Sequence, residues 1–137
     1  MIDTLQIQIT ENSNPRLAST DFKDIPFGKI FTDHMFMADF EDGEWKNLQI
    51  LPYGPIPMSP AISALHYGQA IFEGMKAYRL PNGEVSVFRA DKNFERFNIS
   101  ADRIAMPTVP EDVFMQGIAT LINIDKGWAP TQENYSL

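Results

Sequence analysis

Residues 64 to 79 read A-L-H-Y-G-Q-A-I-F-E-G-M-K-A-Y-R, a histidine, two tyrosines and a phenylalanine gathered around a Glu-Gly pair. Ser63, or Ser59 ahead of Pro60, can cap a helix that runs to about Phe72. Gly74 suits the left-handed position just past a helix end. Lys76 to Leu80 then reads as a strand, P-N-G at 81 to 83 as a turn, and Glu84 to Arg89 as the returning strand. Asn-Gly between two such runs is a strong hairpin signal. A helix that hands over directly to a hairpin points to an α+β fold.

The flanks agree. Leu5, Ile7 and Ile9 alternate with polar residues and predict a short strand. Residues 27 to 40 are rich in strand formers, E-D-G-E at 41 to 44 supplies a turn, and Trp45 to Leu51 returns as a second strand. Prolines 52, 55, 57 and 60 stiffen the connection that follows, which reads as an internal loop. Downstream, Asp91 can cap a helix whose Phe94, Phe97, Ala101 and Ile104 form one apolar stripe. T-V-P-E at 108 to 111 is a capping-box pattern opening a last helix, with Phe114, Ile118, Leu121 and Ile122 on its apolar face. K-G-W-A-P at 126 to 130 ends that helix, and E-N-Y-S-L at 133 to 137 begins another strand. The prediction is an antiparallel sheet built from hairpins, with two or three helices packed on it.

Composition narrows the function. The 137 residues are 44% hydrophobic and 21% charged, enough for one domain with its own core. The net charge of −7, with no run of Lys and Arg to offset it, makes a nucleic-acid backbone a poor partner. With no cysteine there is no disulfide framework, thiol nucleophile or thiolate metal site. The N-terminus has no basic start or apolar run of signal-peptide type, and no window is apolar enough for a membrane span. The expectation is a soluble cytoplasmic protein.

Candidate site residues follow from spacing. Tyr67 and Phe72 lie five apart, so on a regular helix they point about 140° away from each other. Ala64, Leu65 and Ile71 can pack inward, and periodicity on its own favours burying both rings too. Arg96 and Arg103 share a helix face away from the apolar stripe. Such a face usually carries local ion pairs, or else it holds an arginine for an anion. His34 and His66 are not spaced as metal ligands and read as core or hydrogen-bonding histidines. Glycine-rich phosphate loops and a G-x-S-x-G elbow are absent.

Three segments in order, F-G-K-I-F-T-D-H-M, S-A-L-H-Y-G-Q-A-I-F-E-G-M-K-A-Y-R and N-F-E-R-F-N-I-S-A-D-R-I-A-M-P, resemble the N-terminal part of branched-chain amino-acid aminotransferases. These are fold-type-IV enzymes that use pyridoxal phosphate. The match runs from about Phe27 to Pro130. The resemblance implies that residues 1–137 form the small domain of such an enzyme. Arg96 then grips the cofactor phosphate, and Tyr67, Phe72 and Phe31 wall the pocket for the substrate's branched side chain. It implies branched-chain amino acids and 2-oxo acids as substrates, 2-oxoglutarate among them, and a homodimer. The family's Schiff-base lysine lies in a second, larger domain, and no lysine here, Lys76 included, matches it. Transamination is therefore expected of the full-length protein only, with no cofactor held covalently by this chain. Exposed rings are expected where the larger domain and a second subunit would dock. A D-amino-acid aminotransferase, an aminodeoxychorismate lyase and a non-catalytic binding module are the competing readings; the F-E-G-M-K-A-Y-R segment argues against the first two.

Overall fold

A computed structural model describes residues 5–23, 25–26, 28–132 and 136–137. The architecture is α+β. Strand β1 (Gln8–Ile9) pairs in parallel with β3 (Glu44–Pro52), and β3 pairs antiparallel with β2 (His34–Glu41). A separate hairpin joins β4 (Ala77–Arg79) to β5 (Val85–Val87). The helices are α1 (Ser63–Tyr67), α2 (Ala90–Arg103) and α3 (Glu111–Ile124), and one-turn helices cover Leu17–Ser19 and Lys126–Trp128. The sheet is thus mixed and in two parts, not wholly antiparallel. Alternation marks β1 as a strand but carries no information about its partner, and it takes the free edge of β3.

The two hairpins form where turn chemistry dictates. Asp42 and Gly43 both have positive φ, 54° and 84°, the two-residue geometry that matches strand twist. Asn47 also has positive φ, and its side chain donates to Asp39 at 3.0 Å where the β2–β3 register shifts between Met37 and Asp39. In the second hairpin Gly83 takes φ 87°, and Leu80 N–H donates to Glu84 C=O at 2.7 Å.

Several boundaries depart from the sequence reading. β2 starts at His34, well after residue 27, which lies outside the described residues. Gly28 turns the chain at φ 71°, and Asp33 is held by side-chain bonds before the ladder begins. Helix α1 stops at Tyr67, because the left-handed cap falls on Gly68 (φ 62°) and not on Gly74. None of its residues is buried, so Ala64 and Leu65 do not pack inward, and Ile71 beyond it is only half-buried. Asp91 sits inside the first turn of α2, which Arg89 precedes in left-handed geometry. Thr108 does not cap α3 either; Pro110 holds the N-cap position without a side-chain bond. The E-N-Y part of the final segment lies outside the described residues, but Leu137 exchanges two 2.9 Å backbone bonds with Ala77 of β4.

Helix α3 is the hub. Its Val113 and Gly117 are buried, and a Cβ on Gly117 would enter the Phe36 ring of β2, so the helix lies close on that sheet. Its Phe114 meets Phe94 and Phe97 of α2, with ring centroids 5.5 and 5.7 Å apart. Ile104, predicted to extend the α2 stripe, instead falls past the helix end and is exposed. Asn98 bonds both ways to the Val109 backbone and fixes the α2–α3 connection. Arg79 of β4 donates to the carbonyls of Lys126 (2.6 Å) and Ala129 (3.0 Å), closing the C-terminal end of α3. Phe114, Ile118, Leu121 and Ile122 border a cavity of about 390 Å³ against Ala77 and Val87.

The core is smaller than composition suggests. Accessible surface is 10074 Å², against roughly 7,200 Å² for a compact monomer of this mass. Large apolar side chains stand exposed, with Tyr67 86%, Phe72 90%, Leu65 72% and Phe88 71% exposed.

Candidate functional site

Helix α2 sets the first element of the site. Phe94, Phe97 and the buried Ala101 turn one face towards α3, so Arg96 projects from another. Its side chain is 67% exposed, yet it is held firmly. Nε donates to Glu73 Oε2 at 2.8 Å, and Nη2 donates to Glu73 Oε1. The partner is 23 residues away in sequence, so this is not the local helix pair that spacing suggested.

Glu73 lies in the irregular segment between α1 and β4, and its side chain is only 6% exposed. Asn93 Nδ2 (2.9 Å) and the Gly74 amide (3.0 Å) add two more donors to Oε1. The Arg96 hydrogen bonds, followed by the Asn93 bond, bring its pKa down to about 2 against the opposing effect of burial; the charge of Arg96 and the Gly74 amide assist. The Arg96 pKa is raised in turn, first by the Glu73 hydrogen bonds and then by its charge. Arg96, Lys76, Arg89 and Lys92 border one open depression, with Tyr78 and Phe88 beside them. An acidic chain thus concentrates cations at one place.

None of the predicted ring residues lines this depression. Phe72 directly precedes Glu73 and points into solvent. Tyr67 is also exposed, which overturns the expectation that both rings pack in the core. It borders a shallow depression with Gln69 and Ile104, and Gln69 ties that segment to the end of α2 through the Ile104 carbonyl (2.9 Å). Phe31 stacks on Tyr53 at 4.6 Å and borders a different depression. Thr32 lines both that depression and the α3 cavity that Glu73 also reaches. The fold therefore ties Arg96 to Glu73, the residue after Phe72, while Tyr67 and Phe31 border two separate depressions.

His34 is a hydrogen-bonding histidine, as expected. Asn12 N–H donates to its Nε2 (2.9 Å), so the proton sits on Nδ1, which donates to Asp125 (2.7 Å). His66 is exposed and bonds through Nε2 to the Pro60 carbonyl at 2.8 Å.

Glu73 had no assigned role in the sequence, although a signal was there. It is the sole carboxylate among residues 45 to 83 of a chain with 18 acidic residues. A carboxylate isolated in this way is a candidate for a long-range partner, which the fold supplies in Arg96.

The α+β topology and three helices fit the small domain of fold-type-IV aminotransferases. No protein-family model matches the chain. It is 41% identical over 135 residues, 98% of its length, to branched-chain-amino-acid aminotransferase 2 of Bacillus subtilis (strain 168), and covers 36% of that protein. It is 46% identical over 118 residues, 85% of its length, to a probable branched-chain-amino-acid aminotransferase of Staphylococcus epidermidis (strain ATCC 12228 / FDA PCI 1200), covering 33% of it. Against the branched-chain-amino-acid aminotransferase of Mycolicibacterium smegmatis, identity is 42% over 130 residues, 92% of this chain and 35% of the relative. By sequence the chain is homologous to part of the branched-chain-amino-acid aminotransferases, and it spans about a third of the length of the curated relatives it matches.

Proposed function

We propose that this chain is the small domain of a branched-chain-amino-acid aminotransferase that moves an amino group between Leu, Ile or Val and 2-oxoglutarate. The observation that carries the proposal is the Arg96 guanidinium, exposed at a cationic depression and fixed from behind by a buried carboxylate. That arrangement suits a phosphate, whose oxygens a planar fork engages better than a point charge does. Pyridoxal phosphate, once bound, supplies the aldehyde and the electron sink of amino transfer.

The work of this chain is to bind and to shape. Arg96 holds the phosphate and so fixes the cofactor's orientation. Phe72, Tyr67 and Phe31 offer apolar ring surface to an aliphatic side chain that has no hydrogen bonds to be read. Since they are exposed and line no common depression, a larger domain carrying the lysine, and a second subunit, complete the pocket between them. The accessible surface of 10074 Å² and the exposed rings support this reading of a domain built to be covered. The assembled protein is a cytoplasmic homodimer.

In the full-length protein, Arg96→Ala should weaken retention of pyridoxal phosphate at least tenfold, roughly what losing one charged hydrogen bond of 1.5–3 kcal/mol produces. Fluorescence titration of apoprotein measures it. Unchanged retention would remove Arg96 from the site.

A further inference from the structure

We propose that Glu73 is a positioning residue that clamps one edge of Arg96 so that its other edge is presented to the cofactor phosphate. The inference rests on the preceding assignment of Arg96 to that phosphate.

A guanidinium has five N–H donors in one plane. Glu73 takes the side edge, formed by Nε and Nη2. The terminal edge, Nη1 with the second hydrogen of Nη2, has no protein partner among the described residues. That edge is itself a two-pronged fork of the kind that meets phosphate. An arginine without the clamp would sample many rotamers of a long, exposed side chain and would have to be ordered when the ligand arrives. With it, the fork is set in advance.

The carboxylate is built for this and has no vacant role. Asn93 and the Gly74 amide supply further donors to Oε1, fixing the carboxylate while both its oxygens face Arg96. Its low pKa, about 2, keeps it ionised throughout the neutral range. A carboxylate placed to compete with phosphate would lie at the terminal edge; this one lies at the side.

The test uses the full-length apoprotein and two probes, pyridoxal phosphate and pyridoxal, which lacks the phosphate. Glu73→Gln should weaken pyridoxal phosphate about tenfold and leave pyridoxal unchanged. In an Arg96→Ala background the same substitution should have no further effect on pyridoxal phosphate, because Glu73 acts only through Arg96. Glu73→Asp, which shortens the reach by one methylene, gives the same readings if the glutamine variant fails to fold. Tighter binding in Glu73→Gln would mean that the carboxylate competes with the phosphate, and would overturn the inference. So would equal weakening of both probes, which marks a general structural defect, or no change where Arg96→Ala alone weakens binding. If Arg96→Ala itself leaves pyridoxal phosphate unaffected, the underlying assignment falls as well.

Discussion

Two polar centres of this chain use the same chemical parts and finish differently. Around Asp33 and Asp125, both 4% exposed, the carboxylates and the imidazole close on other protein groups. Asp125 accepts from the His34 amide (2.9 Å) and from its ring, and the far side of that ring accepts from Asn12. Asp33 accepts from the Arg16 amide (2.8 Å) and the Trp128 indole (2.9 Å). Burial pushes the Asp33 pKa up, but these two bonds, together with the Arg16 guanidinium, hold it below the ordinary value. At Glu73 the carboxylate is equally enclosed, yet its cation is two-thirds exposed. A network that closes on itself stabilises a fold. One that stops halfway, with an oriented cation facing solvent, is what a binding site requires.

Substitutions should separate the two centres sharply. Asp125→Ala strips a buried imidazole and a backbone amide of their acceptor at once, and should cost about 2–4 kcal/mol of folding stability. Denaturant unfolding measures this, and Arg96→Ala should cost less, because Asn93 and the Gly74 amide still donate to Glu73. A small loss for Asp125→Ala would mean that the first centre is not structural.

Acid gives a smaller effect. The Glu73 pKa is depressed from 4.5 to about 2, so its contribution to stability is complete above pH 4.5 and is lost as pH falls through about 2. Glu73→Gln should therefore remove part of the acid sensitivity between those limits while leaving the pH dependence of the melting temperature above pH 5 unchanged. Identical acid profiles for the two proteins would place the Glu73–Arg96 contact outside the folded state in solution.

The rim residues should matter least to folding. Phe72 is 90% exposed, so Phe72→Ser should change stability by no more than about 0.5 kcal/mol. It should, however, lower self-association of the chain in sedimentation, since it removes apolar surface that is otherwise uncovered. A large loss of stability would show that the ring is packed.

Local chemistry was legible in the sequence, and tertiary pairing was not. Asp42-Gly43 and Asn82-Gly83 announced their hairpins because positive φ is demanded at Asp42, Gly43 and Gly83, and few residues supply it. Phe94, Phe97 and Phe114 could be assigned to a core from helical period alone. Sequence alone extends helix α1 too far because Gly68 and Gly74 are both suitable stops, and only the local backbone decides between them. The caps at Asp91 and Thr108 failed for a related reason, as each helix end is fixed by the connection that precedes it. Arg96 was placed on the correct helix face, but its partner 23 residues upstream belongs to no periodic pattern. The separation of Tyr67 from Phe31 was likewise invisible, since it depends on tertiary placement that no periodic pattern encodes.

The most direct test is a crystal structure of the full-length protein with pyridoxal phosphate bound. The account expects a phosphate oxygen within about 3 Å of the terminal nitrogens of Arg96, with Glu73 still bonded to Nε. A phosphate held elsewhere, with Arg96 turned to solvent, would contradict it.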